Sequence, residues 1–254
     1  MKKILEVNNV GLSYSMGKGN FEVIDKVSFN VYENEFLTIV GPSGCGKSSL
    51  IRIISGLLEP TRGEVVYRRR KVNGPQRGMS IVFQNFALLP WKNAIENVQL
   101  SLINSNLSRE EIEKRSNDAI KAVNLSGFET AYPGELSGGM KQRVGIARAL
   151  VSYPDIILMD EPFSALDDLT AEQLRGELHY ILKSKNIPVK SVIMVSHNVE
   201  EVVELSDRSI VLSKPPARII DTLSLSMKYP RNKHSPEFQK AMNRIYKDLY
   251  SAEA

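Results

Sequence analysis

Four stretches of this chain combine residue types and spacings suited to handling a polyphosphate. The first is Gly41-Pro42-Ser43-Gly44-Cys45-Gly46-Lys47-Ser48-Ser49, set between the apolar run Phe36–Val40 and a helical pattern of Leu50, Ile51, Ile53 and Ile54. It fits the phosphate-binding template G-x-x-x-x-G-K-[ST] in the strand–loop–helix context that the template requires. Its glycines let successive N–H groups turn inward around an anion, and the following helix adds its positive end. Lys47 has the length to meet β- and γ-phosphates, and the Ser48 hydroxyl suits Mg²⁺. The competing reading, a glycine-rich turn before a core helix, is less favoured in that context.

The second stretch is Asp160-Glu161, closing the apolar run Ile156–Met159. Acidic residues at the carboxyl end of a buried strand lie where α/β sheets bind ligands. Asp160 suits a Mg²⁺-water contact, and Glu161 can orient or deprotonate water. The third is Leu136-Ser137-Gly138-Gly139-Met140-Lys141-Gln142-Arg143, which enters a helix. Ser137 is a good N-cap and the two glycines leave backbone N–H groups uncovered, a second anion-binding helix start. The fourth is His197, after Met194-Val195-Ser196 at another strand end, where a catalytic role outweighs a merely structural histidine. His179 and His234 lack such a setting and read as surface residues.

The elements that must position these groups alternate in type. Residues 3–10 and 26–31 alternate apolar and polar side chains, as half-buried strands do, with a loop over 15–20 between them. Tyr14 ends the first strand region, where an aromatic ring either packs or stacks on a base. The phosphate-loop helix ends near Gly56, and Arg68-Arg69-Arg70-Lys71 reads as a solvated hairpin tip. Met79–Phe83 is a strand ending at Gln84. A helical pattern over 94–103 and a helix capped by Ser108 and Glu111 place a helical insertion at about 90–150. The runs 156–159, 192–195 and 210–212 are continuous and apolar, as strands covered on both faces are. Thr170 and Gln173 offer a capping box for a helix between the first two. Phe238, Met242, Ile245 and Leu249 form one apolar stripe, expected to dock on the body. The alternation argues for a mostly parallel, doubly wound α/β sheet.

Bulk properties fit one domain over 1–254. The 254 residues carry 33 basic and 29 acidic side chains, a net +4 too diffuse to demand nucleic acid. The single cysteine, Cys45, excludes an internal disulfide framework and fits a reducing compartment. It fills a loop position, although nearby positive potential favours its thiolate. No signal-peptide core follows Met1-Lys2-Lys3, and no apolar run approaches the ~20 residues that span a bilayer.

In this order Tyr14, Gly41–Ser48, Gln84, Leu136–Gln142, Ile156–Glu161, Ser164–Asp167 and His197 make the chain resemble the ATP-binding cassette ATPases over nearly its whole length. Residues 87–93 after Gln84, and Leu212-Ser213-Lys214-Pro215-Pro216-Ala217-Arg218-Ile219, are similar to nitrate/sulfonate/taurine-type importer subunits. The resemblance implies a RecA-like P-loop NTPase core, an N-terminal antiparallel β subdomain, the helical insertion and a tail over 222–254. It implies a dimer that closes on two ATP molecules, each held by the phosphate loop of one chain and by Ser137, Gly138, Gly139 and Gln142 of the other. Tyr14 would stack on adenine, and Ser48, Gln84 and Asp160 would attend Mg²⁺. Glu161, His197 and Gln84 would serve hydrolysis, and Asp167 would communicate across the dimer. An integral-membrane permease would meet the region after Gln84, where Trp91 is either a contact or a packing anchor. A solute-binding protein would act upstream, the subunit itself lying peripherally at the cytoplasmic face of the membrane. Ser196 and Asn198 depart from the family's Thr and Asp. A non-transport cassette ATPase acting on nucleic acid or protein assemblies is the alternative, disfavoured by the lack of coiled-coil arms or a second cassette.

Overall fold

The computed structural model describes residues 2–17, 19–183 and 188–253, in two compact units: Met1–Gln76 with Lys190–Ala254, and Arg77–Val189. The first unit opens with β1 (Lys3–Met16) and β2 (Gly19–Tyr32), an antiparallel pair interrupted by register shifts. The expected loop over 15–20 is mostly ladder instead: Tyr14 pairs with Phe21 and Ser15 with Asn20. A cross-strand aromatic pair sustains strand pairing to the tip, outweighing the turn-forming composition. After β3 (Glu35–Val40) and α1 (Lys47–Ser55) come β4 (Arg62–Tyr67), antiparallel to β1, and β5 (Arg70–Lys71). The basic run therefore forms a hairpin tip, as its composition suggested.

The second unit contains β6 (Met79–Val82), α2 (Ala94–Gln99), α3 (Arg109–Ala122), α4 (Gly138–Leu150), β7 (Ile156–Asp160) and α5 (Asp168–Lys183). Strands β6 and β7 run parallel. The helix expected over 94–103 breaks at Leu100 into a 3₁₀ turn, Leu100–Leu102. Its buried face carries Asn97 and Val98, whereas Ile103 is 69% exposed. Ser108 caps α3 by accepting from the Glu111 N–H at 3.2 Å, while the Glu111 carboxylate turns to Arg115 at 2.7 Å. Thr170 is not the cap of α5: Asp167 is, its Oδ1 accepting from the Thr170 N–H at 3.0 Å. A carboxylate one turn earlier outcompetes the threonine hydroxyl for the helix's open N–H groups.

The chain returns to the first unit with β8 (Ser191–Ser196), α6 (Val199–Leu205), β9 (Arg208–Leu212), β10 (Ile219–Ser224) and α7 (Pro236–Glu253). Strand β3, buried at every position, lies between β8 and β9 and is parallel to both. Strand β10, which the sequence pattern does not separate from the tail, adds antiparallel to β9. The apolar stripe of α7 docks as expected: Phe238 and Ile245 are fully buried in a cluster with Val40, Val199, Val202, Val203, Val211 and Leu223. No helix among the described residues is long and apolar enough to cross a membrane.

Candidate active site

In the first unit the chemistry gathers at the carboxyl edge of the parallel strands. Val40 stands level with Ser196 of β8 and Val211 of β9, so Gly41 and His197 leave the sheet side by side. The loop from Gly41 to Gly46 is tight at both ends. A Cβ on Gly41 would fall 2.9 Å from Cys45 Sγ and 3.1 Å from Leu212 Cβ. One on Gly46, whose φ of 99° also favours glycine, would fall 2.8 Å from Val23 Cγ1. Gly46 precedes α1 without any side-chain cap, so no capping side chain competes for the first-turn N–H groups. The buried Lys47 ammonium donates to Gly41 O at 2.9 Å and Pro42 O at 3.0 Å, drawing the loop around itself. Ser43 and Gly44 are exposed, Ser48 and Ser49 half-buried, and Cys45 wholly buried as a filler of the loop.

Tyr14 is 44% exposed on β1 beside Phe21, so its ring is open to a flat ligand. His197 is exposed, and the two departures beside it have defined tasks. Ser196 Oγ donates to Glu201 at 2.6 Å and accepts from the Asn198 N–H at 3.0 Å. Asn198 Oδ1 caps α6 through the N–H groups of Glu200 and Glu201. An amide and a hydroxyl thus fix the backbone on either side of His197.

In the second unit Val82 pairs with Met159, which brings Gln84 and Asp160-Glu161 to one strand edge. Asp160 is buried, and Glu161 sits at φ 47° with its carbonyl accepting from Ser164 Oγ at 3.0 Å. A bulky residue at positive φ costs about 1–3 kcal/mol, a strain characteristic of functional positions. Gln84 is exposed in the turn that follows β6. Two supports of that turn escaped sequence reasoning. The Arg148 guanidinium donates to Phe86 O at 2.7 Å and Ala87 O at 2.5 Å. Farther on, the fully buried Asn97 amide accepts from the Leu89 N–H at 2.8 Å and donates to the carbonyls of Leu89, Lys92 and Asn93. The one available signal was a polar residue on the buried stripe of α2. Trp91 is 69% exposed, which removes the packing-anchor reading.

Ser137 caps α4 as expected, its Oγ accepting from the Met140 N–H at 3.3 Å. A Cβ on Gly139 would lie 2.5 Å from Thr170 Cγ2, so that glycine permits the start of α5 to sit against the signature turn. Asp167 therefore lies near Ser137-Gly138-Gly139, and the Thr170 N–H holds its carboxyl below the usual range. Gln142, grouped with them by sequence, differs in setting. It is completely buried, and its amide has no hydrogen-bond partner among the described residues.

Among the described residues no group of three or more His, Cys, Asp or Glu side chains could hold a metal. Mg²⁺ carried by a nucleotide takes one or two protein oxygens and relies on phosphates for others. The Ser48 hydroxyl and the Asp160 carboxylate are hard oxygen donors of that type.

Residues 24–164 match the family model described as ABC transporter. An uncharacterized ABC transporter ATP-binding protein of Methanocaldococcus jannaschii is 43% identical, over 96% of this chain and 91% of that protein. The aliphatic sulfonates import ATP-binding protein SsuB of Bacillus cereus is 35% identical, over 95% and 94%. The nitrate transport protein NasD of Klebsiella oxytoca is 38% identical, over 92% and 89%. Among solved structures, the dimeric post-hydrolysis state of the ATP-binding cassette MJ0796 bound to ADP and Pi superposes with TM-score 0.77 at 36% identity, covering 89% of this chain and 100% of that one. The expected α/β class holds, and this chain belongs to the ABC transporter family as an ATP-binding, ATP-hydrolysing subunit.

Proposed function

We propose that this protein is the motor subunit of an importer for a small anion of the nitrate, sulfonate or taurine type. The observation that carries the hydrolytic part is Glu161, held at positive φ directly after the buried Asp160. In this reading the phosphate-loop N–H groups and Lys47 bind the β- and γ-phosphates, and Tyr14 stacks on the adenine. Glu161 accepts a proton from the attacking water, Gln84 orients that water, and His197 donates to the γ-phosphate. Ser48, Asp160 and Gln84 hold Mg²⁺, which supplies charge neutralisation of the phosphates when bound.

A second copy completes each site with Ser137, Gly138 and Gly139, whose helix start offers uncovered N–H groups, and with Gln142 once its amide turns outward. Asp167, beside that turn, relays the state of one copy to the other. A permease helix docks after Gln84, against the exposed Trp91 and a cleft of 580 Å³ lined by Phe83, Leu102, Leu107, Arg115 and Arg148. This partner would hold the subunit at the cytoplasmic face of the membrane, with a solute-binding protein delivering cargo from the other side. The names of SsuB and NasD support the anion class. The test is Glu161→Gln. It should retain ATP, hydrolyse it about 10²–10⁴-fold more slowly, and sediment as a dimer only with Mg-ATP. Unchanged phosphate release removes Glu161 from its role; sedimentation indifferent to nucleotide contradicts the dimer.

A further inference from the structure

The segment Leu212–Ile219 is similar to one importer class, yet no step of hydrolysis uses it. We propose that this β9–β10 turn is a buttress that sets the width of the phosphate loop, with Arg218 and Asp25 as its positioning pair. The inference rests on that loop being the nucleotide site.

Each end of the loop leans on a different segment. At Gly41 the neighbour is Leu212, whose Cβ and carbonyl oxygen each stand 3.1 Å from where a Cβ would lie. At Gly46 the neighbours are Val23 and Ile24 of β2, at 2.8 and 3.1 Å. The turn joins these two props. Its Ala217, fully buried, donates to Val23 O at 2.8 Å and accepts from the Asp25 N–H at 2.9 Å, a parallel bridge to Ile24. Ser213 and Arg218 close the turn on themselves, the Ser213 N–H donating to Arg218 O at 2.9 Å and the Arg218 N–H to Ser213 Oγ at 3.0 Å. The Arg218 guanidinium then grips Asp25 Oδ2 through Nε at 2.8 Å and Nη2 at 2.5 Å.

Asp25 is only 5% exposed, and Arg62, itself paired with Glu22 at 2.6 Å, bonds its other oxygen. A carboxylate taken out of water needs such partners, and it fixes in place whatever they are attached to. Arg218 is 67% exposed along its side chain. Only the arginine end of the pair is open to solvent, and Arg62 stays on Asp25 when Arg218 is truncated, so losing Arg218 should cost less global stability than stranding the carboxylate would, and its main effect is geometric. N–H groups that converge on a phosphate lose binding when their spacing shifts by a fraction of an ångström.

The experiment compares the full-length parent, Arg218→Ala, Asp25→Asn and the double variant. Each is titrated with a fluorescent ATP analogue, assayed for phosphate release, melted, and followed by amide exchange across the phosphate loop. Arg218→Ala should weaken nucleotide binding and raise KM about 5–20-fold, with kcat within roughly threefold, because the substitution disturbs the shape of the loop and leaves the reacting groups in place. Loop amides should exchange faster by more than any fall in melting temperature accounts for. The double variant should bind no worse than the weaker single one. Parental affinity in Arg218→Ala, a loss that merely follows melting temperature, or losses that multiply in the double variant would each overturn the buttress. If the parent itself fails to bind the analogue, the phosphate-loop reading falls instead.

Discussion

Arg148→Ala should loosen the turn after Gln84 while leaving the phosphate loop intact. Arg148 holds two consecutive carbonyls, those of Phe86 and Ala87, and both residues sit at positive φ, 62° and 47°. Burial pushes the guanidinium's pKa down, so this cation has exchanged water for those carbonyls. Hydrogen bonds from a charged donor contribute about 1.5–3 kcal/mol each, hence roughly 3–6 kcal/mol gross for the pair. Two corrections reduce that figure. Ala87 is exposed, so water takes over its carbonyl, and release of the left-handed backbone returns about 1–2 kcal/mol per relaxed residue. With one bond taken over by water and one residue relaxed, the net cost to global stability should be about 0–1 kcal/mol, read as a slightly lower urea midpoint at unchanged slope.

The local effect should be larger than the global one. Amides at Phe86, Ala87 and Leu88 should exchange at least tenfold faster, since opening no longer breaks the Arg148 bonds. Metal-free nucleotide affinity should hold, because the bonds of Lys47 to Gly41 and Pro42 do not involve Arg148. Arg148→Lys should fall between the two, one ammonium replacing a planar fork that spans both carbonyls. Parental exchange at Ala87 in the alanine variant would refute the claim that this side chain sets the turn.

Lys47→Ala should weaken nucleotide binding itself, since it removes both the proposed phosphate contact and the two bonds that draw Gly41 and Pro42 inward; parental affinity in a fluorescent-ATP titration would count against the loop assignment. Asp248→Asn should stabilise the protein increasingly as pH climbs from about 4 to neutrality. Burial, and then the carboxyl of Asp221, raise the Asp248 pKa above its unfolded value, so its favourable contribution exists at low pH and is lost as pH rises through the folded pKa. Asp221 shifts the opposite way: burial acts to raise it, but the Thr222 N–H and Arg244 outweigh that. A thermal-midpoint gap between variant and parent that stays constant with pH would contradict a raised Asp248 pKa.

Much of the site was legible because its chemistry restricts residue type and spacing at once. A loop that encloses phosphates, as proposed here, needs small residues where its ends meet Leu212 and Val23, then a cation and a hydroxyl at the helix start. That demand is local in the chain, so Gly41–Ser48 announced itself, as did Ser137 before its glycines. Strands β3, β7 and β8 were equally plain, being buried along their lengths and therefore mostly apolar. One error arose where cross-strand pairing overrode composition, Tyr14 and Phe21 carrying a ladder through a turn-like stretch; another was a local competition, Asp167 taking the cap expected of Thr170.

Asp25, Asn97 and Arg148 went unseen for a different reason. Each holds a backbone or an ion partner with a common polar side chain, and its partners lie up to 193 positions away in sequence, as with Asp25 and Arg218. Nothing about such a task requires one residue type at one spacing; any donor or acceptor that reaches will serve. The asymmetry has a mutational consequence. In the role proposed for it Glu161 must be a carboxylate to take a proton, so its amide variant should show the whole ~10²–10⁴-fold slowing at one step. A support acts through distance alone, so a shorter or less forked replacement should lose function by degrees, in step with how many of the original bonds it remakes. Graded loss across Arg148→Lys and Arg148→Ala, beside all-or-none loss at Glu161, is therefore the pattern that separates a residue that reacts from one that holds it in place.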